Sequence, residues 1–166
     1  IAAAIALFVS TVQAGLLPTT VTVTPEAGNY RWTYAIVLPT DMKLQSGNYF
    51  TIYDFEGYVP GGESAPAGWT FSSSNSGTTP SALLPNDDPN KPNLTWTYNG
   101  ETTFGQTGLG NFWAVSQYGN SQEDSFTAKT NRASDGLVDS NITTTDVPLA
   151  SEVPPPGVPE PATLAL

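Results

Sequence analysis

The run NYRWTYAIVL, residues 29 to 38, decides the fold. Tyr30, Trp32, Tyr34, Ile36 and Leu38 alternate with Arg31, Thr33 and Ala35. A period of two sends successive side chains to opposite faces of an extended chain, so this segment predicts a strand with one apolar face. No stretch of the sequence repeats apolar residues at helical spacing for three turns.

The same reading extends outward from that strand. NYFTIYDF, residues 48 to 55, is aromatic or β-branched on both parities and predicts a central strand covered on each side. NLTWTY, residues 93 to 98, gathers Leu94, Trp96 and Tyr98 on one face. Asn99-Gly100 follows at once, the strongest short hairpin signal because a type I′ turn needs positive φ at both central residues. ETTFGQ, residues 101 to 106, is then expected to be the return strand. GLGNFWAVSQY carries Leu109, Phe112, Trp113 and Val115, while SFTAKT and NITTTDV read as the last two strands. Clusters such as PEAGN, LQSGN, VPGGESAPAG, SSSNSGTTPS and PNDDPNKPN read as the turns between them. Many short strands with Gly- and Pro-rich turns predict an all-β fold. The expected form is one β-sandwich, jelly-roll or immunoglobulin-like, of seven to nine antiparallel strands over residues 15 to 147.

Composition narrows the function. A chain of 166 residues suits one domain with a real core. Its 15 acidic and 5 basic residues give a net charge of -10, which excludes the basic footprint that nucleic acid requires and disfavours an anionic membrane surface. With no Cys and no His, thiolate nucleophiles, imidazole bases and imidazole-bound metals are all closed. Chemistry would have to run on carboxylates.

Both ends carry addresses. IAAAIALFVSTVQAG opens with an apolar run from Ile1 to Val9 and closes Val12-Gln13-Ala14. That is the form of a signal peptide, residues 1 to 14, cut between Ala14 and Gly15. The run is too short to span a bilayer as a helix. At the other end PLASEVPPPGVPEPA holds six prolines, and residues 148 to 158 read as an extended, semi-rigid linker. Val158-Pro159-Glu160-Pro161-Ala162 then leads into the apolar Thr163-Leu164-Ala165-Leu166.

These last residues resemble the start of the PEP-CTERM sorting domain of Gram-negative bacteria, here residues 159 to 166. In that family the Pro-Glu-Pro triplet precedes one transmembrane helix and a basic cluster, so the sequence is expected to be cut short at this end, as it is within the signal peptide. The resemblance implies export by the secretion machinery and transient tethering through the missing helix. It also implies processing by an exosortase and delivery to the cell surface or to an exopolysaccharide-rich matrix. The function it implies is that of a secreted, non-enzymatic structural protein of a biofilm or extracellular matrix.

Other readings attach to particular residues. Trp32, Trp96 and Trp113 lie in apolar runs and are expected in the core, whereas Trp69, just after a Gly/Pro-rich loop, is expected to be exposed. An exposed Trp would suit a carbohydrate-binding module, because aromatic faces stack on sugar rings. Asp54 and Glu56 in IYDFEGY are the best carboxylate pair for a glycosidase, although a solvated strand end is the plainer reading. Asp87 and Asp88 in NDDPN could ligate calcium through oxygen, or could serve an ordinary turn; no other cofactor is indicated. Gly108-Leu109-Gly110 reads as a bulge or turn rather than a ligand loop. Asn93-Leu94-Thr95 and Asn141-Ile142-Thr143 match the glycosylation sequon and are expected to be strand residues without sugar. An unpaired sheet edge would also permit filament growth by strand addition.

Overall fold

The computed structural model describes residues 15 to 150. Ala14, the signal-peptide run, Val158, the Pro-Glu-Pro triplet and Ala162 lie outside the described residues. The described chain is all β, without a helix. Its strands are β1 (Leu17–Glu26), β2 (Asn29–Leu38), β3 (Met42–Leu44), β4 (Tyr49–Ile52), β5 (Tyr58–Ser64) and β6 (Trp69–Ser74). They continue with β7 (Asn93–Tyr98), β8 (Thr103–Phe104), β9 (Thr107–Ser116), β10 (Asn120–Arg132) and β11 (Val138–Leu149). Eleven strands thus stand where seven to nine were expected. The surplus comes from the very short β3 and β8 and from β5, which runs through residues whose glycines and proline read as a turn.

Two antiparallel sheets face each other across an aromatic core. One has four strands in the order β1-β2-β9-β5. The other has seven: β6-β7-β4-β10-β3-β8, with β11 on β10. β3 and β4 both pair with β10, end to end along one side of it, while β11 runs along the other. The predicted inner face of β2 is confirmed, with Trp32, Tyr34, Ile36 and Leu38 all buried. Phe50 of β4 sits at the centre. It stacks on Trp96 of β7 at 5.3 Å and on Phe126 of β10 at 5.5 Å, and meets Phe112 of β9 edge-on at 4.9 Å. Edge-on and offset contacts of this kind add to the area these large rings remove from water. Two polar anchors tie the sheets to neighbouring chain: Trp32 Nε1 donates to the Tyr118 carbonyl at 2.9 Å, and the Tyr34 hydroxyl donates to that of Asp146 at 2.9 Å.

The prediction of a doubly covered β4 also holds, and its second cover is a loop. Residues 75 to 92 cross the outer face of the seven-stranded sheet. The Thr51 hydroxyl donates to the Thr78 carbonyl at 2.7 Å, and the Tyr53 hydroxyl lies 2.6 Å from that of Thr79.

The Asn99-Gly100 hairpin does not form. β7 is flanked by β6 and β4, and residues 103 and 104 pair with β3 instead. Asn99 has its backbone N–H on the Gly68 carbonyl at 2.7 Å and its side-chain amide on Thr70 at 2.9 Å. Both contacts hold β7 to β6, so the edge that a local hairpin would have used is already filled by long-range partners.

Candidate functional site

Polar side chains gather at two places. The first lies beneath the turn that contains Asn86–Asn90, at the end of β4. Asp54 was expected at a solvated strand end, yet it is only 2% exposed. Its φ of 54° is the left-handed conformation that Asp and Asn tolerate best among residues with a side chain. Asp54 Oδ1 accepts the Asp88 backbone N–H at 2.9 Å. Asn86 donates its side-chain amide to Asp124 at 3.1 Å and to Asp54 at 3.5 Å. Asn93 completes the joint: Oδ1 accepts the Asp54 N–H at 2.9 Å and Nδ2 donates to Asp87 at 2.8 Å.

Burial pushes the Asp54 carboxyl up to about 6, the Asp88 N–H opposes this, and the neighbouring Asp124 carboxyl raises it further.

This cluster serves its own loop. Asp54 and Asp124 both accept from the one Asn86 amide and are 2% and 9% exposed, so they do not flank an open cleft as a glycosidase pair does. Glu56 does not join them; it pairs with Lys91 at 3.3 Å and accepts the Ala150 N–H at 3.2 Å. Asp87 and Asp88, the calcium candidates, turn to different partners. Asp88 Oδ1 accepts both the backbone and side-chain N–H of Asn90, which holds its carboxyl below the usual range. Among the described residues no three carboxylates converge as a metal site.

The second place is an open groove of about 440 Å³ on the outer face of the four-stranded sheet. Its origin is the edge strand β5, which pairs with β9 at Tyr58 and Val59, leaves the ladder, and returns at Ser64 opposite Trp113. Pro60 has no N–H to give the ladder, Gly61 adopts a φ of +85°, and Gly62 presses so close to Val115 that a Cβ would lie 2.7 Å from it. Glu63 holds this bulge, accepting the Tyr58 hydroxyl at 2.7 Å and the Gly61 N–H at 2.9 Å on the same oxygen. Burial and the nearby Glu63 raise the Tyr58 hydroxyl well above its ordinary value, so it remains a donor.

The far wall is the β1–β2 hairpin. Arg31 is held by Glu26 through Nε at 2.8 Å and through Nη2, and its guanidinium lies over the Trp113 ring, 5.0 Å from the centroid. The two charged side chains stay about two-fifths exposed, 39% for Arg31 and 38% for Glu26. The groove therefore joins an aromatic wall, a guanidinium and two carboxylates.

Two tryptophans have exchanged the positions expected of them. Trp69 is half-buried and packs on Tyr98 at 5.1 Å, Phe112 at 4.9 Å and Phe50 at 5.6 Å, so it does not form an exposed platform. Trp113, expected in the core, is half-buried on the outer face. The cause is a bulge in β9: its register against β2 skips Leu109, between Gly108 and Gly110. Counting by twos from Leu109 reaches Trp113; the inserted residue instead turns Phe112 and Ala114 inward.

No protein-family model matches the chain, and no curated protein matches it.

Proposed function

We propose that this protein is an exported, non-enzymatic component of a bacterial cell surface or extracellular matrix, sorted by an exosortase through Val158–Ala162. The observation that carries the non-enzymatic part is that the candidate acids are engaged by the chain's own donors. The buried Asp54 and Asp124, the half-buried Glu56 and Asp88 and the exposed Asp87 each accept at least one such hydrogen bond. The end of β11 at Leu149 supports the division into sandwich and tail, with the sheet running two residues past the expected boundary at 147. The test follows the full-length gene product in hosts with and without an exosortase, by intact mass and cell fractionation. Exosortase-dependent loss of the C-terminal segment, with the domain in the matrix fraction, is expected. An intact C-terminus in a periplasmic protein would sink the reading.

A second reading concerns what the sandwich holds. The bulged groove favours a glycan, because Trp113 offers a ring for the C–H face of a sugar while Arg31, Glu26 and Glu63 reach hydroxyl groups. The net charge of -10 disfavours acidic polysaccharides and favours neutral or amino-bearing ones. Co-sedimentation with insoluble neutral glycans and chitosan tests it; equal recovery with wild type and Trp113→Ala would sink it.

A further inference from the structure

Asn141 of β11 is only 9% exposed, and its two polar atoms fare differently. Nδ2 donates to the Leu16 carbonyl at 3.0 Å, whereas Oδ1 has no hydrogen-bond partner among the described residues. A buried acceptor left unpaired is costly and calls for a physical account. Gly15 lies against this oxygen. A Cβ built on Gly15 would lie 1.9 Å from Asn141 Oδ1, so only glycine fits there, and its φ of +107° also suits glycine. Standard backbone dimensions then put the Gly15 nitrogen within about 4.4 Å of the same oxygen.

While Gly15 is acylated by residue 14, that nitrogen carries one N–H locked in the peptide plane. Hydrolysis changes its reach. Water adds its hydroxyl to the Ala14 carbonyl carbon and the C–N bond breaks; the Gly15 nitrogen takes the water's other hydrogen and the proton shed by the new Ala14 carboxyl, which becomes a carboxylate, and leaves as an ammonium with three N–H groups that rotate about N–Cα. We propose that Asn141 Oδ1 is the seat of the mature N-terminus, binding the ammonium that cleavage between Ala14 and Gly15 releases. Processing then pairs the open Asn141 acceptor beside Leu16, which is fully buried in the core, and clasps the start of the four-stranded sheet to β11 of the other. The acidity of the chain favours a cation at that point. Glycine after the cut is thus required by the folded domain.

The proposal rests on the export reading, and the experiment separates the two. The exported protein is purified and its N-terminus sequenced; Gly15 is expected, and any other start overturns both the cleavage site and the clasp. The chain starting at Gly15 is then compared in thermal unfolding with one that retains Ala14, each with Asn141 and with Asn141→Leu. The Gly15 form is expected to melt about 4 °C higher when Asn141 is present, with no difference in the Asn141→Leu pair. If Asn141→Leu fails to fold, Asn141→Asp replaces it and is expected to widen the difference, because a carboxylate binds the ammonium more strongly. A Gly15 start with identical melting of both lengths in the Asn141 background overturns the clasp and leaves export standing.

Discussion

The joint under the Asn86–Asn90 turn and the groove at β5 are both built from carboxylates and loop backbone, yet they end in opposite states. In the joint each acid is matched to a donor a few residues away in space, and Asp54, Asn93 and Asp124 are at most 9% exposed. In the groove Arg31 and Glu26 remain well hydrated beside a half-buried Trp113. The lesson is that polar character alone does not mark a binding surface. What separates the two is whether a loop has closed over the acids. Residues 75 to 92 close one; the bulge of Pro60–Glu63 props the other open.

The joint should therefore answer to stability measurements and the groove to binding. The largest expected effect in either polar region is that of Asn93→Leu. It strands the buried Asp54 N–H and removes the donor on Asp87, a loss of about 3 kcal/mol in urea unfolding. A loss below about 1 kcal/mol would mean that the loop is not anchored there.

Asp54→Asn should act in the opposite direction. Asp54 titrates at about 6 in the folded protein, above the 3.8 of the free side chain. The protonated form is favoured on folding, so its contribution is complete below pH 3.8 and disappears as pH rises through 6. At full weight the shift is worth about 3 kcal/mol; hydration around the loop reduces it to about 1–2 kcal/mol. Asparagine keeps an acceptor for the Asp88 N–H, gains a donor toward Asp124, and tolerates the left-handed φ. The variant should be about 1–2 kcal/mol more stable at pH 7.5, with the difference vanishing near pH 4. Equal stability at both pH values would show that burial does not raise the Asp54 carboxyl.

How far the sequence foretold this comparison depends on which interactions were local. The inner faces of β2 and β7 follow from parity over six to ten residues, and the burial of Trp32 and Trp96 agrees with it; β4, read as covered on both faces, is buried throughout. Asp54 could be picked out, but its burial could not, because Asn86, Asn93 and Asp124 lie 32, 39 and 70 positions away. Nothing in SQEDSFT distinguishes Asp124 from the neighbouring Glu123. Trp113 was placed in the core because its run is apolar, which does not say whether it or the adjacent Phe112 faces inward; the bulge at Leu109, in a stretch read as a bulge or turn, decides for Phe112. A bulge reverses the parity of everything after it, and applying that rule along β9 would have moved Trp113 to the surface. The Asn99-Gly100 turn failed for the reverse reason: a strong local signal lost to the filled edges of β7.

Trp113→Ala turns the comparison toward the groove. Its ring is half-buried on the outer face, so truncation should cost about 1 kcal/mol, against about 4 kcal/mol for Trp32→Ala in the core. Glycan recovery should nevertheless fall about tenfold, the loss expected when one stacking platform is removed. Loss of recovery with Trp32→Ala but not with Trp113→Ala would place the binding surface elsewhere.

Glu63→Gln has the smallest expected effect on the fold and the most to say about the ligand. The carboxylate holds the bulge by accepting from the Tyr58 hydroxyl and the Gly61 N–H on a single oxygen, and a glutamine Oε1 can take both. Unfolding free energy should move by less than about 1 kcal/mol, the difference between charged and neutral acceptors. The shape of the groove is then retained while one of its two carboxylates becomes neutral. A neutral glycan, bound through the Trp113 ring and hydroxyl contacts, should keep its affinity within about threefold. An amino-bearing glycan that uses Glu63 as a counter-ion should weaken about tenfold, and more so at low ionic strength, where the charge is less screened. A uniform loss for both ligands would show that the bulge itself had moved, which a shift in the unfolding midpoint would report independently.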